Sequence, residues 1–235
     1  VYGAYSASRF VVLGTPSGVS LSREGGAHQS TITPGIGIEQ PGVSYCEPAY
    51  ARELEWLLLD GLDRMQGDDG DILYLRLSTK PVDQEPFAAL CARRGEEPVR
   101  ADVLAGAYWL RDPEPAEDAV VLATCGAMAP EVLAAADQLA AEEGVAAGVL
   151  CLSSPGRLYR DWRASRLAQL EDLAAPRRPS HLERLLPPTL RSLPLVSALD
   201  GASHALAWLG GALGMRAVAL GVDRCGQVGS QPEVY

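Results

Sequence analysis

Ala119-Val120-Val121-Leu122-Ala123-Thr124 is an apolar, β-branched run that reads as a strand, and Cys125-Gly126-Ala127-Met128 leads from it into a helix from Pro130 to Glu143. Gly144 stops that helix, and Gly148-Val149-Leu150-Cys151-Leu152 supplies the next strand. A strand, a helix and a strand in that order imply parallel pairing with a right-handed crossover. Downstream, residues 153–190 are arginine-rich and helical in pattern, broken by Pro176, Pro179 and Pro187-Pro188. Leu193 to Leu199 then reads as a strand, Ala202 to Leu213 as a helix and Arg216 to Val222 as a last strand, with Asp223-Arg224-Cys225-Gly226-Gln227 as its exit loop. Upstream, Ala107 to Leu110 is a short strand, and the polar stretch 81–100 is expected to be a connector at a domain boundary.

The first part of the chain repeats the pattern. Phe10 to Leu13 reads as a short buried strand, and Ile72 to Leu77 as another. Between them, Pro34, Gly35, Gly37, Pro41 and Gly42 predict a largely irregular 31–43. Glu47-Pro48-Ala49-Tyr50 is expected to open a helix that buries Leu54, Leu57, Leu58, Leu62 and Met65. The fold class is α/β in two units, residues 1–80 and 101–235.

Composition narrows the function. Of 235 residues, 47% are apolar and 21% charged, with a formal net charge of −10, which disfavours a nucleic-acid groove. The basic cluster Arg157, Arg160, Arg163, Arg166, Arg177 and Arg178 is interleaved with Asp161, Glu171 and Asp172 and reads as a solvated helix face. Five scattered cysteines with no C-x-x-C pair argue against a disulfide framework or a zinc site. No metal site is expected, and a reducing cytoplasmic setting fits. No apolar run reaches bilayer length and no signal-peptide pattern opens the chain. A start at Val1, in mid-domain, suggests a piece of something longer or a processed subunit.

One of the three histidines, His28, lies in Ser22-Arg23-Glu24-Gly25-Gly26-Ala27-His28-Gln29-Ser30, shortly after the first strand. Open α/β sheets place their chemistry at the carboxyl ends of strands. Paired glycines permit close approach, and imidazole moves protons near neutral pH. A surface loop with a stray histidine and an active-site loop fit these residues equally well.

Three motifs together resemble the carboxyl-terminal portion of the thiamine-diphosphate-dependent transketolase superfamily, closest to the homodimeric-type pyruvate dehydrogenase thiamine-dependent component. Glu24 to Ser30 resembles that superfamily's acidic-glycine-histidine-glutamine loop. Ser44-Tyr45-Cys46-Glu47-Pro48-Ala49-Tyr50-Ala51, with Asp60-Gly61-Leu62-Asp63-Arg64-Met65, is similar to the helix that follows in the pyruvate dehydrogenase branch. Gly221-Val222-Asp223-Arg224-Cys225-Gly226-Gln227 is similar to a glycine-rich segment of the last domain.

The resemblance implies that 1–80 is the later half of the pyrimidine-binding domain and 101–235 a transketolase carboxyl-terminal-like domain. It implies His28 as the catalytic residue, orienting a 2-oxo acid and moving protons or stabilising charge, within a substrate loop of Glu24, Gly25, Gly26, Gln29 and Ser30. It implies thiamine diphosphate and magnesium as cofactors. The chain has no asparagine and no Gly-Asp-Gly followed by one, so they would be held mainly by a partner chain or a missing segment. That partner would carry the diphosphate-binding domain and the first half of the pyrimidine domain, giving a split enzyme, a dimer or a heterotetramer.

The chain departs from the family at two places. A single residue, Ala27, separates Gly26 from His28, where transketolases proper have two. The strand at 72–77 runs on into Ser78-Thr79-Lys80, where sugar-phosphate transketolases carry an arginine that grips phosphate. Arginine does so bidentately and threonine cannot, so a small 2-oxo acid such as pyruvate is preferred, with decarboxylation and transfer of the two-carbon unit to an acceptor. The alternatives are a sugar-phosphate transketolase subunit and a non-catalytic module that binds a partner. Among other conspicuous residues, His204 reads as a capping or domain-interface residue, His181 as exposed, Cys125 as a buried small residue, and the tryptophans as core or interface.

Overall fold

The computed structural model describes residues 1–15, 18–68, 70–114, 118–173, 176–230 and 233. The first unit contains helix α1 (Tyr2–Tyr5), strand β1 (Val11–Gly14), helix α2 (Thr33–Glu39), strand β2 (Val43–Cys46), helix α3 (Ala51–Arg64) and strand β3 (Ile72–Arg76). Helices α4 (Glu85–Arg94) and α5 (Glu96–Ala105) follow. The second unit runs β4 (Tyr108–Arg111), β5 (Ala119–Thr124), α6 (Ala129–Gln138), β6 (Ala146–Cys151), α7 (Pro155–Glu171), α8 (His181–Leu185), β7 (Leu195–Ala198), α9 (His204–Leu213) and β8 (Ala217–Leu220).

Among the described residues the strands form two sheets. The first is parallel with order β1-β3-β2. The second has order β4-β6-β5-β7-β8, parallel except for β4, which runs antiparallel to β6. The β5–α6–β6 unit pairs as expected, from Ala119 opposite Ala146 to Thr124 opposite Cys151. Gly144, left-handed at φ 68°, ends the turn that extends α6.

Several expectations change. First, β1 lies on a sheet edge rather than buried, with Leu13 64% exposed; its apolar sequence could not reveal that a neighbour covers just one side. Second, 31–43 is not largely irregular but holds α2, with Pro34 in the first turn where proline fits. Its Gly37 sits against the Tyr45 ring, where a Cβ would come within 2.6 Å. Third, the expected connector 81–100 is helical, split by Gly95 at φ 87°, and buries Phe87, Leu90 and Val99. Fourth, α3 starts at Ala51, not at Glu47, and turns Glu53, Trp56, Leu57 and Gly61 inward while Leu62 faces out. The Glu53 carboxylate accepts from the Ala49 and Tyr50 N–H groups at 2.8 and 2.7 Å, closing the helix start. Fifth, His181 is 5% exposed, its Nε2 lying 2.7 Å from the Ala107 carbonyl.

The two sheets share their core. Leu57, Leu73 and Leu75 pack in one cluster with Phe87, Leu90, Val103, Tyr108 and Val149, and Tyr45 packs in another with Trp109, Val121, Leu150, Leu158 and Leu206. Two members of the arginine cluster join the units instead of facing solvent. Arg157 Nε donates to Ser44 Oγ at 2.9 Å and its Nη1 pairs with Asp60 at 2.7 Å. Arg160 donates to the Val43 carbonyl at 2.6 Å. This docking brings the carboxyl ends of both sheets together.

Candidate functional site

The chain leaves β1 and forms a 3₁₀ segment, Val19–Glu24, that ends at Gly25 with φ 86°. Positive φ there favours glycine. Backbone bonds from His28 N–H to the Gly25 carbonyl (3.0 Å) and from Gln29 N–H to the Gly26 carbonyl (3.3 Å) then make the turn that carries His28. His28 and Glu24 are exposed, Gly25 and Gln29 buried, and Gly26 and Ser30 half-buried.

The 221–227 loop lies directly against this turn. A Cβ on Gly26 would fall 1.9 Å from the Gly226 carbonyl oxygen, and one on Gly226 would fall 1.5 Å from Gln29 Oε1. Gln29 Nε2 donates to the Gln227 carbonyl at 3.4 Å, and Gly229 N–H to the Ser22 carbonyl at 3.3 Å. Glycines at both positions are what let two backbones meet.

Glu47, from the second motif, completes the convergence. It sits just past β2, 2% exposed, with Arg76 Nη1 donating to its Oε1 at 2.5 Å and the Tyr45 hydroxyl donating to Oε2. Its N–H donates to the Ser153 carbonyl at 2.9 Å and its carbonyl accepts from Gly126 at 3.0 Å, beyond the ends of β6 and β5. Gly126 is glycine for two reasons, φ 55° and a Glu47 side chain 2.7 Å from where a Cβ would stand. Burial pushes the Glu47 carboxyl up, opposed by Arg76 and by the Tyr45 hydrogen bond. For Arg76 burial works against the charge, but Glu47, Tyr45 and Asp200 outweigh it and raise its pKa.

Arg76 and Asp200 are the residues that sequence reasoning missed. Strand alternation puts Arg76 on the opposite face from Leu75 and Leu77 and names no partner for it, yet a charge inside an apolar strand must find one when buried. Arg76 Nη2 also donates to the carbonyls of Ser30 (2.8 Å) and Asp200 (2.5 Å). The Asp200 carboxylate, just past β7, accepts from Val19 N–H at 2.6 Å, Ser20 N–H at 3.2 Å and Ser20 Oγ at 2.6 Å.

The remaining candidates have quieter surroundings. His204 opens α9 against α2, its Nε2 3.0 Å from where a Cβ on Gly35 would be. Cys125 is buried, and burial first, then Glu47, holds its thiol well above the ordinary range. Thr79 is exposed, and the neighbouring Lys80 pairs with Glu131. Among the described residues no group of three His, Cys, Asp or Glu side chains could hold a metal ion, and no helix is long and apolar enough to cross a membrane.

The fold has counterparts among solved structures. The backbone matches a mutant transketolase from Pichia stipitis with a TM-score of 0.65 at 18% identity, covering 97% of this chain and 27% of that one. It also matches a split-gene transketolase, an inactive beta4 tetramer, with a TM-score of 0.58 at 17% identity, covering 96% and 60%. The chain therefore has a transketolase-like α/β fold, matching a fragment of those enzymes. Sequence similarity links the chain to curated proteins as well. The chain is similar to the pyruvate dehydrogenase E1 component of Mycolicibacterium smegmatis, 34% identical over 161 residues, 66% of this chain and 16% of that protein. The Escherichia coli K12 E1 component is 29% identical over 178 residues, 75% of this chain and 19% of that protein. The chain thus spans less than a fifth of the length of the curated relatives it matches. No family model matches it.

Proposed function

We propose that this chain is the histidine-bearing part of a thiamine-diphosphate-dependent enzyme that decarboxylates a 2-oxo acid such as pyruvate and passes the two-carbon unit to an acceptor. The observation that carries the reading is the convergence of the His28 turn, Glu47 and the 221–227 loop at the joined carboxyl ends of the two sheets, with the imidazole left exposed. The similarity to pyruvate dehydrogenase E1 components supports the same branch.

Thiamine diphosphate, when bound, would supply a nucleophilic carbon and an electron sink for the decarboxylation of a 2-oxo acid. The residues present do not make its diphosphate and magnesium site, since the chain lacks asparagine and the described residues contain no metal-holding cluster. The cofactor is therefore assigned to a partner chain or another segment. His28, exposed at the rim, can donate a hydrogen bond or proton to the oxygen of a substrate carbonyl and take it back. Glu24 and Ser30 flank it, while Gly25, Gly26 and Gln29 shape the turn. The exposed Thr79 and the paired Lys80 leave no arginine fork for a sugar phosphate at that strand end, which favours the small 2-oxo acid.

The test is turnover of pyruvate and of a ketose phosphate by the assembled enzyme, with thiamine diphosphate and magnesium, before and after His28→Ala. General acid–base groups contribute about 100- to 10,000-fold, and a loss of pyruvate decarboxylation in that range with an unchanged fold is expected. Unchanged turnover removes the assignment of His28, and preferential use of the ketose phosphate replaces the substrate class.

A further inference from the structure

We infer that Asp200, Arg76 and Glu47 are positioning residues for the His28 imidazole, a device that sets the turn only when the two units are docked; the inference rests on the reading of His28 given above. The segment from Val19 to Ser30 is held at both ends by this one buried group. At its entry, the Asp200 carboxylate accepts from Val19 N–H, Ser20 N–H and Ser20 Oγ at 2.6, 3.2 and 2.6 Å. At its exit, Arg76 Nη2 donates to the Ser30 carbonyl at 2.8 Å. Arg76 closes the circuit by donating to the Asp200 carbonyl at 2.5 Å and to Glu47 Oε1 at 2.5 Å.

Asp200, Arg76 and Glu47 are 0, 1 and 2% exposed, so these bonds are shielded from water and electrostatically strong. Their targets point to positioning rather than to simple reinforcement of the core. Asp200 directs its carboxylate at the loop rather than at the guanidinium, and Arg76 divides its donors between the loop, the second sheet and Glu47. The chain also runs tightly past this point, since a Cβ on Gly18 would stand 2.6 Å from Asp200 Oδ1. Glu47 and Arg76 come from the first sheet and Asp200 from the end of β7, so the loop has its full set of anchors only across the interface. A displacement of about 1 Å in a catalytic group can cost on the order of 100-fold, which makes the anchors matter to the chemistry.

The test is Asp200→Asn in the assembled enzyme. The amide keeps the volume and replaces one acceptor oxygen with a donor facing other donors. Hydrogen exchange at residues 25–30 should quicken about 10-fold or more while the protection of α3 and β5 stays unchanged. Turnover of the 2-oxo acid should fall about 10- to 100-fold, mainly in kcat. Combined with His28→Ala, the substitution should add no more than about 2-fold, because both act through one group. Ser20→Ala, which removes one of the three bonds, should shift exchange and kcat in the same direction by less, and it decides the matter if Asp200→Asn does not fold. Wild-type exchange at 25–30, or losses that multiply with His28→Ala, would overturn the inference. If His28→Ala leaves turnover intact, the catalytic reading fails, while the exchange result still decides whether these residues hold the turn.

Discussion

Arg76→Met is the substitution whose cost the structure sets most sharply. The guanidinium is 1% exposed and serves Glu47 Oε1, the Ser30 carbonyl and the Asp200 carbonyl. Methionine fills much of the volume but leaves the Glu47 carboxyl, 2% exposed, without its charged partner. Removing one partner of a buried ion pair costs about 3–5 kcal/mol, and each carbonyl left without its donor adds about 1 kcal/mol. Against a typical total of about 5–15 kcal/mol, the variant should be near the limit of stability at 25 °C. Glu47→Gln keeps an acceptor for Arg76 and should cost less. The double variant should be about 1–3 kcal/mol more stable than the sum of the singles predicts, because the orphaned charge is gone. Urea denaturation at pH 7.5, followed by tryptophan fluorescence, measures all three. A loss below about 1 kcal/mol for Arg76→Met, or strict additivity, would refute the argument that the buried Glu47 charge depends on Arg76.

Three further predictions concern other places. Glu53 is buried and its carboxyl is pushed up from 4.5 to about 7 by burial, against the two N–H bonds it accepts. Its folded form binds a proton that the unfolded chain has already lost, so its contribution is complete below pH 4.5 and disappears as pH rises through 7, a swing of about 3 kcal/mol. The stability of Glu53→Gln relative to wild type should therefore climb between pH 4.5 and 7 and level off above it; parallel profiles would contradict the assignment. Gly26→Ala places a Cβ 1.9 Å from the Gly226 carbonyl, and this backbone clash should separate the two loops, costing about 1–3 kcal/mol and quickening hydrogen exchange at 226–229. With a maleimide, Cys225, exposed, should react first and Cys91, half-buried, more slowly. Cys46, Cys125 and Cys151, buried with raised thiol pKa values, should label after denaturation; rapid native labelling of Cys125 would contradict its placement.

The parallel core was legible because β5 and β6 carry dense apolar runs on either side of a glycine-ended helix. Local sequence misled where tertiary contact decides. Gly35 and Gly37 look like loop residues, but in α2 they let the helix approach His204 and Tyr45. The polarity of 81–100 hid a helix pair whose Phe87, Leu90 and Val99 are spaced to bury one side of each helix. Leu13 looks like core and stands at a sheet edge. For the site, the resemblance supplied the three motifs, and their meeting is a property of the docked units. Arg76 could have been flagged as a charge embedded in Ile72-Leu73-Tyr74-Leu75-Arg76-Leu77. Asp200 had no such marker, since an acidic residue after a strand is ordinary turn chemistry.

Native mass spectrometry of the protein carrying this sequence, purified from its own cells and supplied with thiamine diphosphate and magnesium, tests the central claim most directly. The account predicts an assembly of more than one polypeptide that retains the cofactor. A single monomer that binds neither cofactor nor partner would contradict it.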